Sequence, residues 1–303
     1  MKNSRGGGVR VKFSDYNTIQ IHKGWSNDKK YLLTNSEGEK RLLRVADLVY
    51  LEEKKHEFSA LKKLEKLQIP TSRPLEFGIC QDKKQVWMLL SWVEGNDLEA
   101  EISQLTIEKQ YQLGIEAGKI LKQIHQIPIT QPEESWEKRF NTKIDHKIKS
   151  YQECGLELLG DEQLLSYLQQ NRHLLKNRPQ VFHHGDYHIG NMLLTPEKNV
   201  AIIDLNRMDS GDPWEEFNRI IFCSEASPYF ASGRINGYFN HQVSEAFFRL
   251  LALYIASNAL AAIAWAKKFG DDEVEFMMKQ GRRVLEDYQG MKHVIPKWYI
   301  PTL

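Results

Sequence analysis

The sequence has little cysteine. Its 303 residues contain three, Cys80, Cys154 and Cys223, an odd number set far apart. That excludes a disulfide framework, and without a Cys-x-x-Cys pair it also excludes a zinc site built on thiolates. Idle or buried thiols of this kind suit a reducing compartment, so a cytoplasmic location is expected. Charge of one sign is missing too. The 41 basic residues stand against 40 acidic ones, a formal net charge of +1, so no global field favours nucleic acid or an acidic membrane. No apolar stretch near the N-terminus has the pattern that directs secretion. The most apolar segment, Val243–Ala266, is interrupted by Glu245, Arg249 and Asn258, which argues for a buried core helix and against a membrane span. No internal repeat or low-complexity block occurs. The one local bias is a basic, glycine-rich start containing Lys2, Arg5, Gly6, Gly7, Gly8, Arg10 and Lys12. No strand or helix pattern frames those glycines, so residues 1–12 read as a flexible arm and not as a phosphate loop. Nothing in the sequence sets the oligomeric state.

What is present has a clear order. Thr18–Ile21, Lys30–Thr34 and Lys40–Ala46 read as short strands separated by turn-rich stretches. The period then changes: Phe58, Leu61, Leu64 and Leu67 recur at helical spacing, and Ile69–Pro70 marks a stop. Leu75–Cys80 and Val86–Val93 return to strand character. After Glu94–Asp97 the chain turns mostly helical, over Ile107–Ile127, Leu164–Lys176, Val243–Lys268 and Asp271–Tyr288. Two short strand-like runs interrupt this, Asn191–Thr195 and Val200–Asp204. The reading is an α+β chain with a small N-terminal sheet and one helix over residues 1–93, and a larger, mainly helical part over 94–303.

The chemistry concentrates in "VFHHGDYHIGNMLL", Val181–Leu194. His183, His184, Asp186 and His188 suggest a metal cluster. However, Gly185 stands where a helical zinc motif needs its Glu, and Gly185 and Gly190 oppose a helix. On an extended trace, His183 and His184 face opposite ways. A loop before a hairpin is the better reading. Asp186 and Asn191 lie five positions apart, and Asp204 closes the next strand. Phosphoryl transfer needs a carboxylate for the attacking hydroxyl and oxygen ligands for Mg²⁺. These three residues could supply both, although on their own they also fit a structural turn with incidental acids.

The longer pattern decides between these. His184-Gly185-Asp186, Asn191, Ile203-Asp204 and Gly211-Asp212-Pro213 together resemble the catalytic region of the aminoglycoside phosphotransferase and choline kinase family. The resemblance implies a bilobal, protein-kinase-like fold and transfer of the γ-phosphate of ATP, or of GTP, with Mg²⁺. It covers about Gly24 to Phe222. It implies Asp186 as catalytic base, and Asn191 and Asp204 as metal ligands. Ser26 and Asn27 would touch the nucleotide phosphates, and Ser91 and Val93 would hold the base at the hinge. Arg44 stands where antibiotic kinases carry Lys, and a guanidinium can clamp phosphate and pair with a carboxylate. Lys29 and Lys30 are its rivals. Glu57 is the chosen partner for that cation, with Glu53 the alternative. His184 is expected to brace the loop. His188 is either a brace or a phosphate or substrate contact. Asp212 is expected to fix the following loop, and Glu216 replaces the family's usual Asp.

The resemblance implies a small-molecule hydroxyl acceptor, with no nucleic acid and no membrane as partner. An antibiotic in the aminoglycoside-kinase style leads; choline, ethanolamine or a sugar is the alternative, and a nucleotide-binding regulator a third reading. Asp209, Glu215, Glu225 and the acids of 271–275 could line a cationic antibiotic's cleft. Trp214, Tyr229, Tyr238, Trp265 and Trp298 could supply an aromatic cage for a quaternary ammonium.

Overall fold

The computed structural model describes residues 16–22, 28–80 and 82–303. The chain divides into two compact units. The first runs up to Lys66 and includes Ser72–Val93; the second comprises Leu67–Thr71 and Glu94–Leu303. Leu67–Thr71 belongs to the second because the Ile202 N–H donates to the Pro70 carbonyl at 2.8 Å.

The first unit contains β1 (Asn17–Ile21), β2 (Lys29–Thr34), β3 (Lys40–Asp47), α1 (Leu51–Lys66), β4 (Pro74–Ile79) and β5 (Gln85–Ser91). The strands form one antiparallel sheet in the order β1-β2-β3-β5-β4. Side chains alternate across it. Leu33, Leu43 and Leu89 cluster on one face with Tyr31, Val45 and Trp87. On the other face Arg44, Met88 and Phe77 stand in one cross-strand row. α1 covers that row, with Phe58 against Phe77 at 5.4 Å. The helix starts earlier than the Phe58 stripe suggests. It follows a tight turn in which the Asp47 side chain accepts the Val49 N–H, satisfying a donor that would otherwise be orphaned.

The second unit follows with β6 (Asn96–Asp97), α2 (Leu98–Glu101), α3 (Ile107–Ile124), α4 (Trp136–Glu153) and α5 (Asp161–Asn171). Then come β7 (Val181–His183), β8 (Met192–Leu194), β9 (Val200–Ile202) and β10 (Asp209–Gly211). Finally come α6 (Ile220–Ala226), α7 (Pro228–Phe239), α8 (Glu245–Ala266) and α9 (Asp271–Asp287). α8 is long and apolar enough to cross a membrane, yet 72% of its apolar window is buried inside the protein. It is a core helix packed on α4, α5 and α9.

α3 and α7 cross with their backbones almost touching. A Cβ placed on Gly114 or Gly118 would lie 2.2 Å from the carbonyl oxygen of Phe230 or Arg234. One on Gly233 or Gly237 would lie 2.3 or 2.2 Å from that of Tyr111 or Ile115. Each helix therefore presents two glycines four positions apart to the other.

Of the helices with no counterpart in the sequence reading, the two longest are α4 and α7. α4 is strongly charged, but Trp136, Phe140 and Ile144 repeat every fourth residue and are buried. Ser135 caps it by accepting the Lys138 N–H. α7 is masked by its two glycines, each unfavourable in an isolated helix by about 1 kcal/mol relative to Ala. Its Ser227-Pro228 start is nevertheless a regular helix opening.

Candidate active site

Strand pairing in the second unit builds the loop that carries the chemistry. β7 pairs with β10, and β8 pairs with β9. The segment His184–Asn191 leaves one pair and enters the other. The segment Ile203–Met208 does the same in reverse order. The two connections are therefore held side by side, and the Ile203 N–H donates to the Asn191 carbonyl at 3.0 Å. Gly185 makes this approach possible. Its φ is +84°, and a Cβ there would sit 1.8 Å from the Arg207 carbonyl oxygen.

Asp186 points to a ring of nitrogen atoms. Arg219 Nη1 is in direct contact with Oδ1, His188 Nε2 is 3.3 Å from Oδ1, and Arg207 Nη1 is 3.6 Å from Oδ2. His188 Nδ1 accepts the Gly190 N–H at 3.2 Å. Burial brings the His188 ring down to about 4, so it is neutral at pH 7. Asn191 Nδ2 donates to the Asp186 carbonyl at 2.9 Å, which leaves Oδ1 as its acceptor end. Asp204 holds a left-handed backbone, φ +66°, a conformation that costs a non-glycine residue energy and concentrates at functional sites. Asp204 is near enough to His184 and His188 to favour their charged forms.

Two of the histidines that suggested a metal cluster, His183 and His184, are engaged with backbone groups. His184 is buried, with Nε2 3.1 Å from the Ile203 carbonyl, while its Nδ1 accepts the Asp186 N–H at 3.3 Å. His183 Nε2 meets the Asp212 carbonyl at 3.0 Å. Asp212 is wholly buried. It accepts from Arg178, from the Trp214 N–H at 2.8 Å and from the Tyr254 hydroxyl at 2.9 Å.

In the first unit, the Arg44 guanidinium contacts Glu57 and donates to Asp28 at 2.9 Å. Lys54 donates to the same two carboxylates, at 2.9 Å to Asp28 and 3.1 Å to Glu57. All four side chains are at most 5% exposed. Burial raises the Asp28 carboxyl, but Arg44 and Lys54 outweigh it and hold the group below its ordinary value. Glu57, and not the exposed Glu53, is the partner of Arg44; Glu53 comes only within 4.0 Å of Lys54. At the end of β5, Ser91 donates its N–H to the Arg73 carbonyl and accepts the Arg73 N–H on Oγ. That N–H is therefore engaged inside the first unit. Val93 is the last residue of that unit. Ser26 and Asn27 lie outside the described residues.

The sequence model of the phosphotransferase enzyme family matches residues 17–250. The chain belongs to that family. No curated protein matches the chain. Among solved structures, the GDP complex of wild-type aminoglycoside 2'-phosphotransferase-IIIa aligns with a TM-score of 0.68 at 12% identity, over 91% of this chain and 93% of that one. A thermostable mutant of aminoglycoside phosphotransferase APH(4)-Ia aligns at 0.63 and 16% identity, over 90% and 96%. Amicoumacin kinase hAmiN, in complex with AMP-PNP and Ca²⁺, aligns at 0.62 and 12% identity, over 95% and 91%. At these identities the likeness shows the fold, an α+β protein-kinase-like architecture.

Within this phosphotransferase, Glu216 anchors the loop. It accepts the backbone N–H groups of His184 and Gly185 at 2.7 and 2.8 Å, with His125 Nε2 at 3.4 Å. Burial works against its charge, but the surrounding His183, His125 and His184 outweigh it and hold the carboxyl at about 2. The folded value lies below the ordinary 4.5. The stabilisation is therefore complete above pH 4.5 and is lost as pH falls towards 2. At pH 3, Glu216 should have lost about 2 kcal/mol of its contribution. Urea unfolding at pH 6 and pH 3 should show that extra loss in the parent and not in Glu216→Gln. Equal losses in the two proteins would remove Glu216 as the acid-sensitive anchor.

His125, Asp28, Lys54, Arg207 and Arg219 are absent from the sequence reading. Only Lys54 leaves a local trace, three positions before Glu57 on α1.

Proposed function

We propose that the protein transfers the γ-phosphate of ATP to a hydroxyl group of a small molecule in a reaction that uses Mg²⁺. The observation that carries this reading is the nesting of the two connections, which brings Asp186, Asn191 and Asp204 into one corner of the second unit. Asp186 would take the hydroxyl proton as the oxygen attacks the γ-phosphorus and the bond to ADP breaks. The Asn191 amide oxygen and the Asp204 carboxylate are hard oxygen donors of the kind Mg²⁺ takes, and they would hold it. The bound ion would neutralise charge on the phosphates. In the first unit, Arg44, oriented by Glu57, would contact nucleotide phosphate. The nucleotides named with the similar structures, ADP, AMP-PNP and GDP, support this reading and make GTP the second donor to test. Cys80, Cys154 and Cys223 are free thiols, which supports a cytoplasmic setting.

A coupled assay for ADP or GDP release, with graded Mg²⁺, tests the proposal. Asp204→Asn is expected to lower the rate at least about 100-fold and to raise the Mg²⁺ needed for half-maximal rate. An unchanged Mg²⁺ dependence would take Asp204 out of the metal site. Absence of nucleotide turnover with any acceptor, together with no binding of AMP-PNP, would reject the reading as a whole.

A further inference from the structure

We infer that the acceptor carries an acid group, a carboxylate or a phosphate, close to the hydroxyl that is phosphorylated. This inference rests on the phosphotransferase reading above and concerns the second unit alone. Two guanidiniums converge on the carboxylate of Asp186, Arg219 by direct contact and Arg207 at 3.6 Å. Arg219 is partly buried, which brings it down to about 10. Lys147, on α4, lies over the Phe140 ring at 5.5 Å and within the field of Arg219, Lys143 and Glu215. Glu215 offsets Lys147, while Arg207 and Arg219 share the carboxylate of Asp186.

Two of the carboxylates that a polycationic acceptor would need, Asp209 and Glu225, are already matched by cations. Asp209 has Arg139 at 3.4 Å and Lys143 at 3.8 Å. Glu225 has Lys279 at 3.2 Å and Arg283 at 3.8 Å, with Gln280 donating as well. Glu215 accepts from the Asn218 amide at 2.8 Å. An aromatic cage is not assembled from the candidate rings either. Trp214 is covered by the Arg178 guanidinium at 3.7 Å, and Tyr238 is buried against Phe217 and His125.

The proton balance of the transfer points the same way. As the acceptor oxygen bonds to the γ-phosphorus and the bond to ADP breaks, the hydroxyl proton passes to Asp186, which becomes neutral. Arg207 and Arg219 then lose their carboxylate partner at the moment of transfer. An acid group on the acceptor supplies a replacement beside the same two guanidiniums.

The test compares four acceptor sets at constant ionic strength: glycerol and sorbitol, glycerate and gluconate, glycerol 3-phosphate and sorbitol 6-phosphate, and hygromycin B. Turnover is followed by ADP release. Binding is measured by calorimetry with AMP-PNP and Mg²⁺ present, which reports on all four sets even when none reacts. At least one acid-bearing member should bind tenfold or more tightly than its neutral counterpart. Arg207→Leu and Lys147→Met should each weaken that binding by about tenfold to a hundredfold, seen in KM more than in kcat. The carboxylate and phosphate arms tell the two acid sources apart. Equal binding of acid and neutral members, tighter binding of hygromycin B, or indifference to both substitutions overturns the inference. Failure of AMP-PNP to bind would reject the phosphotransferase reading separately, since acid binding is also measured without nucleotide.

Discussion

Replacing Asp186 with alanine is expected to reduce kcat by about 10³-fold or more, while the affinity for nucleotide changes no more than about threefold. Proton acceptance by a positioned carboxylate contributes on the order of 10²–10⁴ in rate. Orientation of the hydroxyl is lost with the same group. Nucleotide affinity should persist because the group that would contact phosphate, Arg44, is held by Glu57 and Asp28 in the other unit. Asp186→Asn is the sharper variant. It keeps the shape of the side chain but cannot take a proton, so it should fall nearly as far as the alanine protein. Circular dichroism and AMP-PNP titration would show that the fold and the nucleotide site survive. Turnover within tenfold of the parent in either variant would mean that another group accepts the proton.

Substituting alanine for Gly118 should lower stability by about 3 kcal/mol or more in urea unfolding. Helix propensity alone predicts the opposite, a gain of about 1 kcal/mol. The sign reverses because the added carbon would lie 2.2 Å from a backbone oxygen of α7, and a backbone cannot rotate out of the way as a side chain can. The two helices would have to separate, which opens packing along their whole crossing. Lys122→Ala, on the exposed side of the same helix, should change stability by less than about 0.5 kcal/mol. A neutral or stabilised Gly118→Ala protein would show that the crossing is not close-packed. The loss should also reach the reaction. The Ala117 carbonyl on α3 accepts the Tyr187 hydroxyl at 2.7 Å, and Arg234 on α7 donates to the Glu216 carbonyl at 2.9 Å. The helix crossing thus supports the Asp186 loop from two sides.

Residues that act through short-range pattern were legible in the sequence. Asp186, Asn191 and Asp204 lie within nineteen positions, framed by two apolar strands, and their chemistry can be reasoned from type and spacing. Arg44 and Glu57 could be paired because the family resemblance implies a strand cation matched by an acid of the first helix. Asp28, Lys54, His125, Arg207 and Arg219 could not. Apart from the i,i+3 spacing of Lys54 and Glu57, their roles come from tertiary approach, and an acid or base looks the same in sequence whether it meets water or a buried partner. The missed helices fail for two different physical reasons. α4 hides its apolar stripe among charges, and α7 violates helix propensity because its glycines serve contact with α3. Ser91 illustrates a further limit: the sequence placed it at a hinge, and hydrogen bonding to Arg73 determines what its N–H does.

The buried group of Asp28, Arg44, Lys54 and Glu57 also bears on how this protein can change over evolutionary time. It contains two cations and two carboxylates, each cation touching both acids. Losing any one member strands an uncompensated charge away from water, at a cost of about 3–5 kcal/mol. Losing an opposite pair together does not. The four positions therefore behave as a single heritable character. Single replacements should be purged, while coordinated ones, such as Lys54 with Asp28, can drift without harm to the first unit's fold.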